Sequence, residues 1–214
     1  MRIIIGQWEN AAKIEDVLKR HIAIMDKYDP KKQIGLMVDE WGTWWDEEPG
    51  TVRGHLYQQN TLRDAFVASL TLDVFHKYTD RIKMTNIAQI ANVLQSMILT
   101  KDEQDGFLTP TYHVFEMYKV HQDATYLPLE LNCERKIVRD DRIVPMVSAT
   151  ASRDANGLIH ISLSNVDLQE SQEIELNLGE VKAKSVTGRI LTANNIGDYN
   201  SFEKPNVVAP KEFT

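Results

Sequence analysis

Residues 34–50, IGLMVDEWGTWWDEEPG, place two adjacent carboxylates, Asp39 and Glu40, at the end of an apolar run, with Trp41, Trp44 and Trp45 close behind. A carboxylate can attack an anomeric carbon or shuttle a proton, and flat indole rings offer planes on which a sugar ring can stack. A strand-end glutamate beside tryptophans therefore suits the nucleophile of a retaining glycoside hydrolysis. Strict alternation along a strand sends Asp39 and Glu40 to opposite faces, so one of the pair is expected to face a pocket. The same residues also fit a plainer role: carboxylates that cap the next helix or pair with Arg63, and tryptophans that fill a core.

Other candidates are weaker. His76, His113 and His121 fall in helical segments without metal-ligand spacing and read as packing or surface histidines, and no metal or cofactor is expected. Tyr112, Phe115 and Tyr118 recur at helical spacing and read as core. Asp46, Glu47 and Glu48 form an acidic run expected to be solvated loop. Phosphate-binding loop, dinucleotide fingerprint and Ser-His-Asp context are all missing.

The elements that position Asp39-Glu40 follow from periodicity. Ile14, Val17, Leu18, Ile22 and Met25 mark a helix over 9–28, ended by Asp29-Pro30. QIGLMVDEW reads as a strand apolar on both faces, as in a parallel sheet covered by helices. A Gly- and Pro-bearing loop, 42–54, leads to a helix over roughly 56–78 with Leu62, Phe66, Leu70, Val74 and Phe75 on one face. RIKMTNIAQ is a second strand, running into a helical pattern, AQIANVLQSMIL. After the polar loop TKDEQDG, Thr109 and Pro110 have the chemistry of a helix start. Two successive βα units imply a parallel sheet.

Beyond LPLEL the texture becomes antiparallel β. Two alternating runs flank Asn156-Gly157, a hairpin signal, and QEIELNLG and KAKSVTGRILTA read as further short strands. The boundary is placed at 125/126. Two parallel strands do not make a sheet of ordinary size, and about four short antiparallel strands fall below a sandwich of ~7. The chain is therefore expected to be a piece: the end of a barrel plus part of a β-domain, stopping at VVAPKEFT without a closing strand.

With 214 residues, 43% hydrophobic and 26% charged, the composition is that of a soluble globular protein. A net charge of −7, from 24 basic and 31 acidic residues without a basic cluster, argues against nucleic acid and anionic membrane as partners. The single Cys133 excludes an internal disulfide. MRIIIGQ is neither a signal peptide nor a membrane span, and the true N-terminus is expected to lie upstream, so localisation stays open.

Three long motifs, VDEWGTWWDEEPGT, LYQQNTLRDAFVASLTLDVFHKYTDRIKMTNIAQIANVLQSMILT and TPTYHVFEMYKVHQDATYLPLEL, stand in an order that resembles the C-terminal half of glycoside hydrolase family 51 α-L-arabinofuranosidases. The resemblance implies an α/β plus all-β chain. Residues 1–125 would be the last two βα units of a (β/α)8 TIM barrel, and residues 126–214 an antiparallel, jelly-roll-like β-sandwich, incomplete. It implies retaining hydrolysis of terminal non-reducing α-L-arabinofuranosyl groups from arabinan, arabinoxylan or their oligosaccharides. Glu40 matches the family's nucleophile at the end of the seventh strand. Gln89 in NIAQ matches a glutamine that hydrogen-bonds the arabinose, and Trp44 matches an aromatic residue of the same subsite. The family's acid/base is a glutamate following an asparagine, and the dipeptide Asn-Glu is absent from these residues. The implied partners are an arabinose-containing oligo- or polysaccharide, and a missing N-terminal half or a second copy in a homo-oligomer. A related xylosidase or endoglucanase, or a non-catalytic β-module, is the alternative.

Overall fold

A computed structural model describes residues 2–102, 105–133, 136–139 and 142–213. The first helix, α1 (Arg2–Tyr28), starts earlier than its periodicity suggested. It buries Trp8, Ala11, Leu18 and Ile22. The turn after it is built around Asp29, whose carboxylate accepts from the backbone N–H of Gln33 (3.1 Å) and Ile34 (2.8 Å). The wholly buried guanidinium of Arg81 reaches the same turn from far along the chain. It donates to the Asp29 carboxylate (2.7 Å), to the carbonyls of Ile34 and Asp29 (both 2.9 Å), and to Asp26. A buried cation needs such acceptors, and these four, which occupy both terminal nitrogens and leave only Nε unpaired, tie the starts of the next two strands together.

Those strands are β1 (Leu36–Trp41) and β2 (Ile82–Ile87), paired in parallel with Met37 opposite Met84 and Trp41 opposite Ile87. Between them runs α2 (Leu62–His76), buried on nearly every side. Its apolar residues are spread round the axis rather than along one stripe, as in an interior helix, and α2 packs against α1, the β1–β2 layer and the C-terminal sheet. The helix begins at Leu62, not near 56, because residues 56–60 are spent on loop contacts: Leu56 has a left-handed φ of 56° and Tyr57 bridges to Leu94. The expectation of a strand covered on both faces also fails. Leu36, Val38 and Trp41 join the core, but Met37 and Met84 are each 48% exposed on the opposite face.

The helical pattern AQIANVLQSMIL is not a helix. Asn92 and Leu94 have φ of 58° and 56°, which an α-helix cannot contain. Leu94 donates its backbone N–H to the carbonyl of Leu56 and buries its side chain in the loop. The apolar residues serve loop packing instead. The segment then enters β3 (Ile98–Thr100), which pairs antiparallel with β4 (Gly106–Leu108) across part of the expected polar loop, whose residues 103 and 104 lie outside those described. Helix α3 (Pro110–Tyr118) starts as expected, with Thr109 Oγ1 accepting from Tyr112 N–H, and a 3-10 turn, Lys119–His121, ends it.

The remainder is antiparallel: β5 (Thr125–Tyr126), β6 (Lys136–Arg139), β7 (Arg142–Pro145), β8 (Val147–Arg153), β9 (Ile159–Asn165), β10 (Gly188–Ile190) and β11 (Lys211–Phe213). Among the described residues they form a three-stranded sheet, β5-β8-β9, and two-stranded pairs β6-β7 and β10-β11. The Asn156-Gly157 hairpin joins β8 to β9, with Gly157 at φ 83° where a side chain would be strained. Two expectations are overturned. QEIELNLG is not a strand: it finds no ladder partner among the described residues, and Ile174 and Leu176 stay exposed. Conversely, Lys211–Phe213 does supply a closing strand, to β10. No helix among the described residues is long and apolar enough to cross a membrane.

The layer between the helices and β8-β9 is polar. Asp73 accepts from Tyr118 Oη (2.8 Å) and Ser148 Oγ; His76 Nδ1 meets Thr150 Oγ1 (3.1 Å); His121 meets Ser152 and Ser162 (2.7 and 2.8 Å). Burial lowers the pKa of His76 to about 4, and burial, aided by His76 and His160, takes His121 to about 4. Burial raises Asp73 to about 6, against the hydrogen bonds from Ser148 and Tyr118. In the unfolded chain the histidines titrate near ~6.5 and the aspartate near ~3.9. The histidine contribution is thus present above pH ~6.5 and lost as pH falls toward 4, while the smaller aspartate contribution, present below ~3.9, is lost as pH rises through 6. Net stability is expected to fall between pH 6.5 and 4.5, by roughly 2 kcal/mol after allowing for the partial exposure of the rings. Urea midpoints of the wild type and of a His76→Gln/His121→Gln variant at both pH values check this: the wild type should lose more. Equal losses would contradict it.

Candidate active site

The site is built at the carboxyl ends of β1 and β2. Trp41, the last residue of β1, is core: its ring stacks on Phe115 at 5.9 Å and meets Phe75 edge-on at 5.4 Å. Its carbonyl accepts the backbone N–H of Ala88 (2.8 Å), just past the end of β2. Gly42 then turns with φ 143°, and a Cβ there would lie 3.2 Å from the Ala88 carbonyl, so a side chain would push the strand ends apart. The consequence is direct. Glu40, one residue before Trp41, and Gln89, one residue after Ala88, sit at the same end of the sheet on adjoining strands, both exposed.

The expected opposition of Asp39 and Glu40 does not survive. Val38 pairs with Thr85 but Trp41 with Ile87, so three steps on β1 span two on β2. That extra residue is a β-bulge, which re-aims side chains at strand ends. With Val38 and Trp41 both on the packed side, Asp39 and Glu40 are both left off it, and both are exposed. Two carboxylates, not one, are presented at this end.

The three tryptophans take three different places. Trp41 is interior. Trp45 donates its backbone N–H to Gln58 Oε1 (2.8 Å) and its indole N–H to Asp64 (2.9 Å), under the Arg63 guanidinium 3.8 Å from its ring. Trp44, between buried Thr43 and anchored Trp45, is 63% exposed. Its ring therefore stands outside the core that these residues form. The acidic run behind it is not simply solvated. Glu47 accepts from the backbone N–H of Gly54 (2.7 Å) and Leu56 (3.0 Å), and Glu48 from Gln59 (3.1 Å), so both pin the loop. Neither carboxylate is free to swing in as a second catalytic group.

Sequence reasoning missed the buried polar layer beneath these loops. Gln58, Asn60, Asp64, Gln95, Thr109 and Thr111 are all buried. Asn60 donates to Thr111 Oγ1 (2.7 Å) and Thr109 Oγ1 to the Ser96 carbonyl (2.8 Å), joining the start of α2, the loop after β2 and the start of α3. The one local signal was Thr61-x-x-Asp64, a capping-box spacing. His76 and His121 belong to the helix–sheet layer and His113 is buried within α3, and among the described residues no group of three His, Cys, Asp or Glu gathers as a metal site.

The sequence profile described as the α-L-arabinofuranosidase C-terminal domain matches residues 39–214. The chain is 72% identical over 201 residues to an intracellular exo-α-L-arabinofuranosidase of Bacteroides ovatus, covering 94% of this chain and 39% of that protein. It is 24% identical over 188 residues to intracellular exo-α-(1→5)-L-arabinofuranosidase 1 of Bacillus subtilis, covering 83% and 37%. Among solved structures, the family 51 arabinofuranosidase of Xanthomonas axonopodis pv. citri superposes with a TM-score of 0.85 at 44% identity, over 96% of this chain and 41% of that one. The Thermotoga maritima α-L-arabinofuranosidase, at 22% identity and a TM-score of 0.78 over 97% and 45%, shares the fold. The chain thus spans about two fifths of the length of the relatives it matches. A profile match over residues 39–214, on a fold shared with the family 51 enzymes, means that the chain belongs to the family of α-L-arabinofuranosidase C-terminal domains.

Proposed function

We propose that these residues form the nucleophile-bearing part of a retaining α-L-arabinofuranosidase that removes terminal non-reducing α-L-arabinofuranosyl groups from arabinan, arabinoxylan or their oligosaccharides. The observation that carries this reading is the juxtaposition of Glu40 and Gln89 on adjoining strand ends, with the exposed Trp44 four residues beyond Glu40 on the loop that follows β1. Residues 1–125 are the closing βα units of a catalytic barrel, and residues 126–214 a β-domain packed on them. Glu40 attacks the anomeric carbon to form a glycosyl ester, which water then cleaves. The Gln89 amide donates to one sugar hydroxyl and accepts from another, fixing the ring, while Trp44 stacks beneath it. Protonation of the leaving oxygen needs a second carboxyl ~5–5.5 Å from the first. Glu47 and Glu48 are committed to the loop, and the Asn-Glu dipeptide of the family's acid/base is absent from these residues, which supports an acid supplied by the rest of the enzyme.

The test uses an enzyme in which these residues are joined to the N-terminal portion of the Bacteroides ovatus relative. It should hydrolyse nitrophenyl α-L-arabinofuranoside in preference to the β-D-xyloside. Trp44→Ala and Gln89→Ala should each lower kcat/KM by about 10- to 100-fold, mostly through KM. A preference for the xyloside, or unchanged kinetics in both variants, would overturn the assignment.

A further inference from the structure

Glu40 stands on a strand, but the two sugar-contacting residues stand on loops, Trp44 on the loop after β1 and Gln89 on the loop after β2. A loop residue works as a subsite only if something holds both loops to one frame. The carboxylate of Asp64, 3% exposed in the first turn of α2, meets that need. One oxygen accepts the Trp45 indole N–H (2.9 Å) and Arg63 Nε (3.2 Å). The other accepts the Thr61 backbone N–H (2.8 Å), Thr61 Oγ1 (3.2 Å) and Arg63 Nη2 (3.1 Å). In the amide orientation its surroundings demand, the Gln95 nitrogen also donates to both oxygens, at 3.1 and 3.2 Å. Trp45 is the neighbour of Trp44. Gln95 closes the loop that begins at Gln89, and the Gln89 carbonyl accepts from Met97 N–H (3.3 Å) across that same loop. One buried carboxylate therefore ties the loop after β1, the start of α2 and the loop after β2.

We propose that Asp64 is a positioning residue that sets the spacing of Trp44 and Gln89, and so the fit of the arabinosyl ring, without touching substrate. This rests on the assignment of Trp44 and Gln89 above. The ion pair with Arg63 is between chain neighbours and adds no link between loops; the Trp45 and Gln95 hydrogen bonds do.

Two variants test it. Asp64→Asn keeps the volume and removes the charge and one acceptor; Trp45→Phe removes only the indole N–H and keeps a ring under Arg63. Hydrogen exchange on the 214-residue chain should show residues 42–58 and 88–97 exchanging about tenfold faster or more in Asp64→Asn, with β8 and β9 unchanged. Trp45→Phe should loosen 42–58 first. In the joined enzyme both variants should raise KM by about tenfold and lower kcat by less than about threefold. Asp64→Asn combined with Trp44→Ala should cost clearly less than the sum of the two single variants, because part of the Asp64 effect runs through Trp44. Unchanged exchange in the two loops, or additive effects in the double variant, would overturn the proposal. If instead Trp44→Ala and Gln89→Ala leave KM unchanged, the subsite assignment fails, and the exchange data alone decide whether Asp64 couples the loops.

Discussion

Glu40→Gln in the joined enzyme is expected to lower kcat by about 10⁴-fold or more while leaving the fold intact. The amide has the shape of the carboxylate but cannot form the glycosyl ester, and losing a nucleophile removes the covalent route altogether. Stability should change by less than about 0.5 kcal/mol, because Glu40 is exposed and its neighbour Trp41, not Glu40, joins the core. The bulge makes Asp39→Asn the necessary companion. Since both carboxylates lie off the packed face, the sheet geometry alone does not choose between them. Asp39→Asn should cost far less than Glu40→Gln. The reverse order would move the nucleophile to Asp39 and keep the rest of the site.

The 214 residues by themselves should turn over nitrophenyl arabinofuranoside at least about 10⁴-fold more slowly than the joined enzyme. A general acid contributes about 10²- to 10⁴-fold, and the remaining substrate contacts on the missing strands add to that. Met37 and Met84, opposite each other and each 48% exposed, make an apolar face on β1 and β2, and under the proposed division of the site this is where the other portion would pack. Mixing the chain with a separately made N-terminal portion should therefore recover activity. Turnover by the chain alone, abolished by Glu40→Gln, would contradict the division of the site. Two folded portions that associate without recovering activity would mark these residues as a non-catalytic remnant.

Much of the positioning frame was legible because it is local. The parallel βα units follow from periodicity, the start of α3 from Thr109-Pro110, and the β8–β9 turn from Asn156-Gly157. What escaped was non-local. The pattern in AQIANVLQSMIL is helical on paper, but Leu94 is drawn into the loop by a backbone hydrogen bond to Leu56, a contact no window of sequence contains. The β-bulge arises from the register with β2, so alternation within β1 could not reveal it. The structural role of Arg63 and Asp64 at the start of α2 was legible in NTLRDA, but burial of Asn60 and Gln58 follows from three segments meeting, and their types alone read as surface polar residues. The closing strand Lys211–Phe213 was likewise invisible: three residues carry no period, and only β10 gives them a partner.

The most direct measurement is to trap the intermediate. A 2-deoxy-2-fluoro-arabinofuranosyl substrate with an activated leaving group forms the glycosyl ester and slows its hydrolysis, because the fluorine destabilises the oxocarbenium-like transition state of both steps. Mass spectrometry of the digested joined enzyme should find one fluoro-arabinosyl group per molecule, on the peptide containing Asp39 and Glu40, with fragmentation placing it on Glu40. A label on Asp39 or another carboxylate, or turnover of the parent substrate with no ester accumulating, would contradict the account.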